Sequence, residues 1–234
     1  MTNKQPAHTF FDENQAATYD QKFEKLRPIN SVLHLLSELV LANLPTDAHI
    51  LCVGAGTGAE IQTLAKSFPG WRFTAVEPSP HMMAVCQKKA IETGISERCT
   101  FHEGYLDSLP TTQQPFDAAT SILVSQFIMD DKDRVAFFAH INSRLKKGGL
   151  LISADISANL ASTHFASLKN VWMQMMRYSG MPEENVQNMI KPFGVNVSVQ
   201  APEKVAALIK AGGFNDPILF CQTLLIHSWY AVKP

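Results

Sequence analysis

The stretch HILCVGAGTG, residues 49–58, decides the fold, because it joins a short apolar run directly to three closely spaced glycines. The apolar run has the pattern of a buried strand, and residues 57–68 have the amphipathic pattern of a helix. Gly54, Gly56 and Gly58 fall where the strand would end and the helix begin. Glycine permits a sharp turn there and leaves space for a ligand beside the backbone. The stretch therefore predicts a strand–loop–helix unit that binds a nucleotide.

An acidic residue follows at the distance that such a unit requires. Residues 71–78, WRFTAVEP, predict a second strand with Glu77 at its end. A carboxylate in that position can accept hydrogen bonds from both ribose hydroxyls of a nucleotide. The glycine spacing leaves NAD, FAD and S-adenosylmethionine open, because Ala59 holds the last position of the dinucleotide pattern and alanine is tolerated there.

Strand-like and helix-like segments alternate along the rest of the chain. Further strands are predicted at residues 99–105, 116–123, 150–156, 218–223 and 224–232, and helices at residues 13–44, 79–93, 131–147 and 203–214. Such alternation, with nearly continuous apolar strands, is typical of a parallel sheet covered by helices on both faces. We expect an α/β fold with a Rossmann-like, mainly parallel seven-stranded sheet, an N-terminal helical cap and a helical insertion after the fifth strand.

The same pattern divides the chain into four parts. We expect a cap over residues 1–45, a nucleotide-binding core over residues 46–156, a helical insertion or lid over residues 157–200, and a final helix and strand pair over residues 201–234 that complete the core. The insertion is rich in Met and aromatic residues on more than one helix face, which predicts burial on two sides. One side would border a substrate pocket, or both would pack against core and a second subunit.

Composition excludes several classes of protein. A net charge of −1 gives no overall attraction to nucleic acid or anionic lipid, and no apolar stretch is long enough to span a bilayer. The first residues lack the pattern of a signal peptide, and the four cysteines are widely spaced without a C-x-x-C pair. We therefore expect a cytoplasmic location, reduced thiols and no bound metal.

Five blocks of sequence together resemble the class I S-adenosylmethionine-dependent methyltransferase family. They are ILCVGAGTG, AVEPSPHMM, FHEGYLDSLP, FDAATSILVSQFI and LKKGGLLISAD, in family order over residues 48–156, with a weaker echo in AALIKAGGF. The resemblance implies S-adenosylmethionine as the cofactor. It also implies that Gly54, Ala55 and Gly56, in the loop that ends at Gly58, face the methionine and ribose, while Glu77 holds the ribose hydroxyls.

The resemblance assigns the remaining positions in the same way. Pro78 and Met82 would pack on the adenine, and Tyr105 and Leu106 would border its other side. The family often has Asp where this chain has Tyr105, so adenine recognition would depend on backbone groups or stacking. Three further residues would lie near the reactive end of the cofactor: Ser121 and Ile122 beside the sulfur, and Tyr19 of the cap near the methyl group.

The activity that the resemblance implies is methyl transfer to an acceptor that we expect to be a small molecule. If the insertion borders the substrate pocket, this acceptor would have an apolar or aromatic part. No side chain can be identified as a general base from the sequence, so the catalytic residues stay unassigned. A homodimer is left open, and nucleic acid is disfavoured as a partner but also left open. A protein that binds S-adenosylmethionine for regulation, without catalysis, is an alternative, because the loop and Glu77 indicate binding and not turnover.

A second alternative comes from within the family. The segment after residue 122 and the C-terminal layout look most similar to carboxy-S-adenosylmethionine synthase, a tRNA-modification enzyme. That enzyme holds its extra carboxylate with Asn and Arg, where this chain has Ile122 and Ile190. An apolar pair cannot offset the desolvation of a carboxylate, so ordinary methyl transfer is favoured. The tRNA-linked alternative predicts a basic surface made by Lys22, Lys25, Arg27, Lys191 and Lys210.

Overall fold

A computed structural model of the chain describes residues 12–111 and 114–234, and a seven-stranded sheet forms its centre. The strands are β1 (His49–Val53), β2 (Arg72–Glu77), β3 (Cys99–Glu103), β4 (Phe116–Ile122), β5 (Leu145–Ile156), β6 (Ile218–Thr223) and β7 (Ile226–Val232). Their order in the sheet is β3-β2-β1-β4-β5-β7-β6. The first five strands are parallel, while β7 runs antiparallel to both β5 and β6. The predicted mainly parallel α/β fold is confirmed.

Helices cover both faces of this sheet. They are α1 (Glu13–Lys22), α2 (Arg27–Leu41), α3 (Ala59–Ser67), α4 (Pro80–Glu92), α5 (Asp131–Arg144), α6 (Thr163–Ser179), α7 (Glu183–Asn188) and α8 (Pro202–Ala211). Apolar residues of α2, α3 and α4 pack with one face of the strands, and those of α5 and α8 pack with the other. Within the described residues, no helix has both the length and the apolar character needed to cross a membrane.

Two of the predicted helices end differently in the structure. The predicted helix over residues 13–44 is broken by a 3-10 turn over residues 24–26, and α2 restarts with Pro28 in its first turn. Proline lacks the backbone N–H that a continuing helix needs, but it fits the first turn. The helix predicted over residues 131–147 ends at Arg144, because Leu145 already pairs with Phe116 as the start of β5.

A third apolar cluster joins the N-terminal helices to the segment between β5 and α8. Leu26 and Leu33 from the first part of the chain pack there with Trp172 and Met176 of α6. Ala154, near the carboxyl end of β5, belongs to the same cluster. The cap and the insertion are therefore packed together above the sheet edge where the parallel strands end.

A buried ion pair fastens the insertion to this edge. Asp155 of β5 and Arg134 of α5 are both fully buried, with 3.2 Å between the Arg134 Nη2 and Asp155 Oδ2 atoms. The Ser125 hydroxyl and the Gln126 backbone N–H also donate to Asp155, at 2.7 and 2.9 Å. Arg134 in turn donates to the backbone carbonyl of Ser198 at 3.2 Å, so the network reaches the end of the insertion. Burial raises the pKa of Asp155, and Arg134 opposes that shift.

We expect Asp155→Ala to destabilise the protein strongly, by about 3–5 kcal/mol, because it leaves the Arg134 guanidinium buried without its anion. Chemical denaturation monitored by circular dichroism measures this. Lys88→Ala is the control, since Lys88 lies in an exposed pair with Glu92 and its removal should change stability little. Equal effects of the two substitutions would contradict a structural role for the buried network.

Candidate functional site

The three loop glycines all have positive φ, but each meets different surroundings. A Cβ on Gly54 would lie 2.4 Å from the Val124 side chain, and a Cβ on Gly58 would lie 2.6 Å from Cys86 Sγ. A Cβ on Gly56 would meet no atom of the described residues within 4 Å. Gly54 and Gly58 are thus required by packing against the protein itself, whereas Gly56 borders open space. This open space beside the backbone is where a ligand would lie.

Glu77 links this loop to the end of β2. Its Oε2 accepts a hydrogen bond from the Gly56 backbone N–H at 2.9 Å, and its Oε1 accepts one from the Ser79 backbone N–H at 2.8 Å. Glu77 is 7% exposed. Burial raises the pKa of Glu77, and the two N–H donors oppose this shift. Each carboxylate oxygen retains further capacity to accept hydrogen bonds from a ligand hydroxyl.

The residues predicted around the adenine differ in exposure. Pro78 is half-buried after β2, and Met82 is buried in the first turn of α4. Tyr105 is 44% exposed beyond β3. Leu106 is buried and packs with Val53 and other core residues, so its contribution to a pocket would come from its backbone. The structure brings Pro78, Met82 and Tyr105 to the carboxyl ends of β2 and β3.

The end of β4 carries the residues predicted near the reactive sulfur. Ser121 is fully buried, and its hydroxyl has no hydrogen-bond partner among the described residues. Ile122 is half-buried and packs against the apolar cluster of cap and insertion. Leu123 has a φ of +60°, a conformation that costs a non-glycine residue about 1–2 kcal/mol. This turn places Val124 over Gly54, a contact that the sequence analysis missed.

Helix α1 lies against the glycine loop through a polar bridge that was also missed. The Thr57 hydroxyl donates to Asp20 Oδ1 at 2.9 Å, and Lys89 of α4 forms an ion pair with Oδ2 of the same carboxylate. Tyr19 is half-buried beside this bridge, with its ring centroid 5.2 Å from that of Phe23 in an edge-on contact. Burial raises the pKa of Tyr19, and the adjacent Asp20 adds to the shift.

A second buried acid lies in the first turn of α3. Glu60 is 8% exposed, and the Thr120 hydroxyl donates to its Oε1 at 2.6 Å. Burial raises the pKa of Glu60 to about 7. A narrow cavity beside Glu60 is also lined by Ile122 of β4 and by His34 of α2. Desolvation lowers the pKa of His34, so its imidazole is neutral at pH 7.

A larger depression lies at the same edge of the sheet, where β5 ends. Its volume is about 310 Å³, and it is bordered by the start of α6 and the start of α8. Phe165 and Leu168 give it an apolar wall, while Ser157, Asn159 and His164 contribute polar groups. The combination suits a small molecule with an apolar part.

Comparison with known proteins places part of this chain among methyltransferases. Residues 50–149 match the family model described as a methyltransferase domain. The ubiquinone biosynthesis O-methyltransferase of Methylocella silvestris is 30% identical over 118 residues, which cover 50% of this chain and 43% of that protein. The malonyl-(acyl-carrier protein) O-methyltransferase of Priestia megaterium is 35% identical over 100 residues, covering 42% of this chain and 35% of that protein. The chain thus spans less than half the length of these relatives.

Solved structures share the fold over the whole chain. An O-methyltransferase family protein from Burkholderia thailandensis superposes with a TM-score of 0.68 and 12% identity, covering 100% of this chain and 64% of that one. The family match and the two relatives identify residues 50–149 as a class I S-adenosylmethionine-dependent methyltransferase domain, and S-adenosylmethionine is the cofactor of that family.

We expect Gly56→Ala to abolish measurable S-adenosylmethionine binding, because the new methyl group would enter the open space beside the loop. Isothermal titration calorimetry measures the affinity. Gly94→Ala is a matched control, since Gly94 also has a positive φ of 71° and open space around its Cβ position but lies after α4. Both variants should lose about 1–2 kcal/mol of stability from backbone strain. Unchanged affinity for S-adenosylmethionine in Gly56→Ala would show that the ligand does not bind beside this loop.

The raised pKa of Glu60 makes the stability of the free protein depend on pH. The folded pKa of about 7 exceeds the ordinary value of 4.5, so Glu60 lowers stability as the pH rises from about 4.5 to 7. We expect Glu60→Gln to be more stable than the unchanged protein at pH 8, by up to about 3 kcal/mol, and to differ little at pH 4.5. Urea unfolding at the two pH values tests this, and a pH-independent difference would contradict it.

Proposed function

We propose that the protein is an S-adenosylmethionine-dependent methyltransferase that acts on a small-molecule acceptor. The observation that carries this proposal is the buried Glu77 carboxylate, which bridges the Gly56 and Ser79 N–H groups beside open space at the end of β2. A carboxylate in this position is suited to ribose hydroxyls, and the surrounding segment matches a methyltransferase domain.

The order of strands supports one direction for the bound cofactor. The adenosine would lie over β2 and β3, with Glu77 on the ribose and with Pro78, Met82 and Tyr105 around the adenine. The remainder would extend along Gly54, Ala55 and Gly56, inside the turn that closes at Gly58, toward the end of β4. Ser121, Ile122 and Tyr19 would then border the reactive end, while the Leu106 side chain stays in the core.

The chemistry needs little from protein side chains beyond position. S-adenosylmethionine supplies a methyl group already activated on a sulfonium sulfur. The chain aligns the acceptor for in-line attack and excludes water. The bridge from Asp20 to Thr57 and Lys89 holds α1 against the glycine loop and supports a covering role for residues 12–45. The first eleven residues of the cap predicted over residues 1–45 lie outside the described residues. The contact of α6 with the N-terminal helices supports a lid role for residues 157–200.

The acceptor is proposed to be a small molecule with an apolar or aromatic part. The apolar cluster next to Ile122 and the 310 Å³ depression beside Phe165 both lie at the edge where the cofactor would end. The two relatives described above are named as O-methyltransferases, which favours an oxygen atom as the methyl acceptor.

Two features favour this reading over the tRNA-linked alternative. Ile122 packs in an apolar cluster, an environment that disfavours the extra carboxylate of a carboxylated cofactor. The basic residues proposed to bind tRNA also lie on different faces of the sheet. Lys210 is on α8, which covers the opposite face of the sheet from α2 at Arg27, and these two side chains are paired with Asp216 and Glu24.

The oligomeric state and the cytoplasmic location stay predictions from sequence. If the chain forms a homodimer, the exposed apolar residues Val32, Leu35 and Leu39 of α2 are a surface on which a second copy would pack. Sedimentation velocity distinguishes a monomer of 25.9 kDa from a dimer.

The direct test is to identify the ligand of the purified protein and then to measure turnover. We expect mass spectrometry of the extracted ligand to find S-adenosylmethionine or S-adenosylhomocysteine. A screen of hydroxylated small molecules should then produce S-adenosylhomocysteine and a product heavier by one methylene unit. If the extracted ligand is a carboxylated cofactor, the tRNA-linked alternative replaces this proposal. If the protein binds S-adenosylmethionine but turns over with no acceptor in the screen, the result favours the regulatory alternative.

We expect Glu77→Gln to weaken S-adenosylmethionine binding at least tenfold, a loss on the order of 1.4 kcal/mol, because one acceptor oxygen becomes a donor. Calorimetric titration measures the affinity. Glu92→Gln makes the same change of charge on the exposed face of α4 and should bind normally. Unchanged affinity in Glu77→Gln would refute the proposed cofactor site.

A further inference from the structure

Glu60 is a buried acid that the fold of the glycine loop does not explain. It lies two residues after Gly58, in the first turn of α3. Its Oε1 accepts the Thr120 hydroxyl at 2.6 Å, and the Cys52 thiol also donates to the carboxylate. Among the described residues, no lysine or arginine forms an ion pair with Glu60. A neutral apolar residue would fill this position without the cost of burying an acid.

The position of Glu60 relative to the proposed cofactor follows from the sheet. Strand β1 lies between β2 and β4, and Cys52 of β1 is in register with Thr120 of β4. Glu77 at the end of β2 marks the ribose side of the site. Glu60, bonded to Thr120, lies on the β4 side of the same loop, and Ile122 lines the cavity beside it. A ligand that extends from Glu77 past Gly56 toward β4 would bring its far end toward the strand whose residues Thr120 and Ile122 adjoin Glu60.

In the described part of the chain, no positively charged group is among those that shift the pKa of Glu60. Glu77 acts on Glu60 by repulsion, which adds to the effect of burial. His34 from α2 lines the cavity but is neutral at pH 7, and Glu38 opposes its lowered pKa only in part. The thiols of Cys52 and Cys86 have raised pKa values and are uncharged. A cation that enters this site would be attracted to the Glu60 carboxylate through a medium of low dielectric constant.

We infer that Glu60 is the counter-charge for the sulfonium of S-adenosylmethionine and lets the site distinguish the cationic cofactor from its neutral product. The inference rests on the proposed function. S-adenosylhomocysteine keeps the adenosine and the amino acid but lacks the sulfonium charge. Loss of that charge after methyl transfer removes the attraction to Glu60 and so favours release of the product. Glu60 is thus a specificity-determining residue, in contrast to Glu77, which holds a part common to both molecules.

Calorimetric titration of both molecules at pH 6 and pH 8 tests the inference. Glu60 is mostly protonated at pH 6 and mostly ionised at pH 8, so ionisation should strengthen binding of the cation. We expect the affinity for S-adenosylmethionine relative to S-adenosylhomocysteine to rise by up to about tenfold between these pH values. In Glu60→Gln the rise should disappear. The amino groups of the ligands titrate in the same way with both proteins, so their effect cancels when the unchanged protein is compared with Glu60→Gln.

Glu97→Gln is the matched control, because Glu97 is an exposed acid after α4 and its loss changes the net charge equally. It should keep the rise. An equal pH dependence for the two ligands in the unchanged protein would overturn the inference, and this comparison needs no variant. Equal weakening of both ligands in Glu60→Gln would likewise overturn it, since that result indicates a structural role. If neither ligand binds under any condition, the proposed function itself fails.

Discussion

The structure of the site depends on one constraint: the Glu77 carboxylate must satisfy two backbone N–H groups from two different turns. Gly56 donates from the loop after β1, and Ser79 donates from the turn that begins α4. The loop is also tied to β2 by the N–H groups of Gly54 and Ala55, which both donate to the Val76 carbonyl. These bonds fix the first turn in relation to the second strand. The open space beside Gly56 is therefore preorganised, and ligand binding does not have to order it.

The sequence was sufficient for the features that local chemistry determines. The apolar strands, the glycines between a strand and a helix, and the acid at the end of the second strand each follow from a short pattern. The match of a methyltransferase domain to residues 50–149 confirms the family that the five blocks indicated. The break before α2 was missed because the apolar spacing of a helix continues across it, although Pro28 was the available signal.

Contacts between distant segments could not be predicted from the sequence. Nothing in the pattern pairs Asp20 with Thr57, which is 37 residues away, or places Val124 over Gly54. The local sequence does not indicate that Glu60 is buried, because an acid is favoured by the helix dipole in the first turn of a helix. Its burial against Thr120 arises only when β4 takes its place next to β1. Glu60 is thus buried by a contact that its local sequence does not indicate.

The antiparallel end of the sheet has a consequence for how the protein is made on the ribosome. Strand β7 lies between β5 and β6, although β6 precedes it in the chain. Synthesis therefore delivers β6 before the strand to which it bonds, and the hydrogen-bonding edge of β5 stays open until β7 emerges. The strands around the glycine loop, β3-β2-β1-β4, are all complete before β6 begins. The nucleotide-binding half can become ordered while β6 is still unpaired in the nascent chain. A chaperone would bind β6 in competition with its pairing to β7.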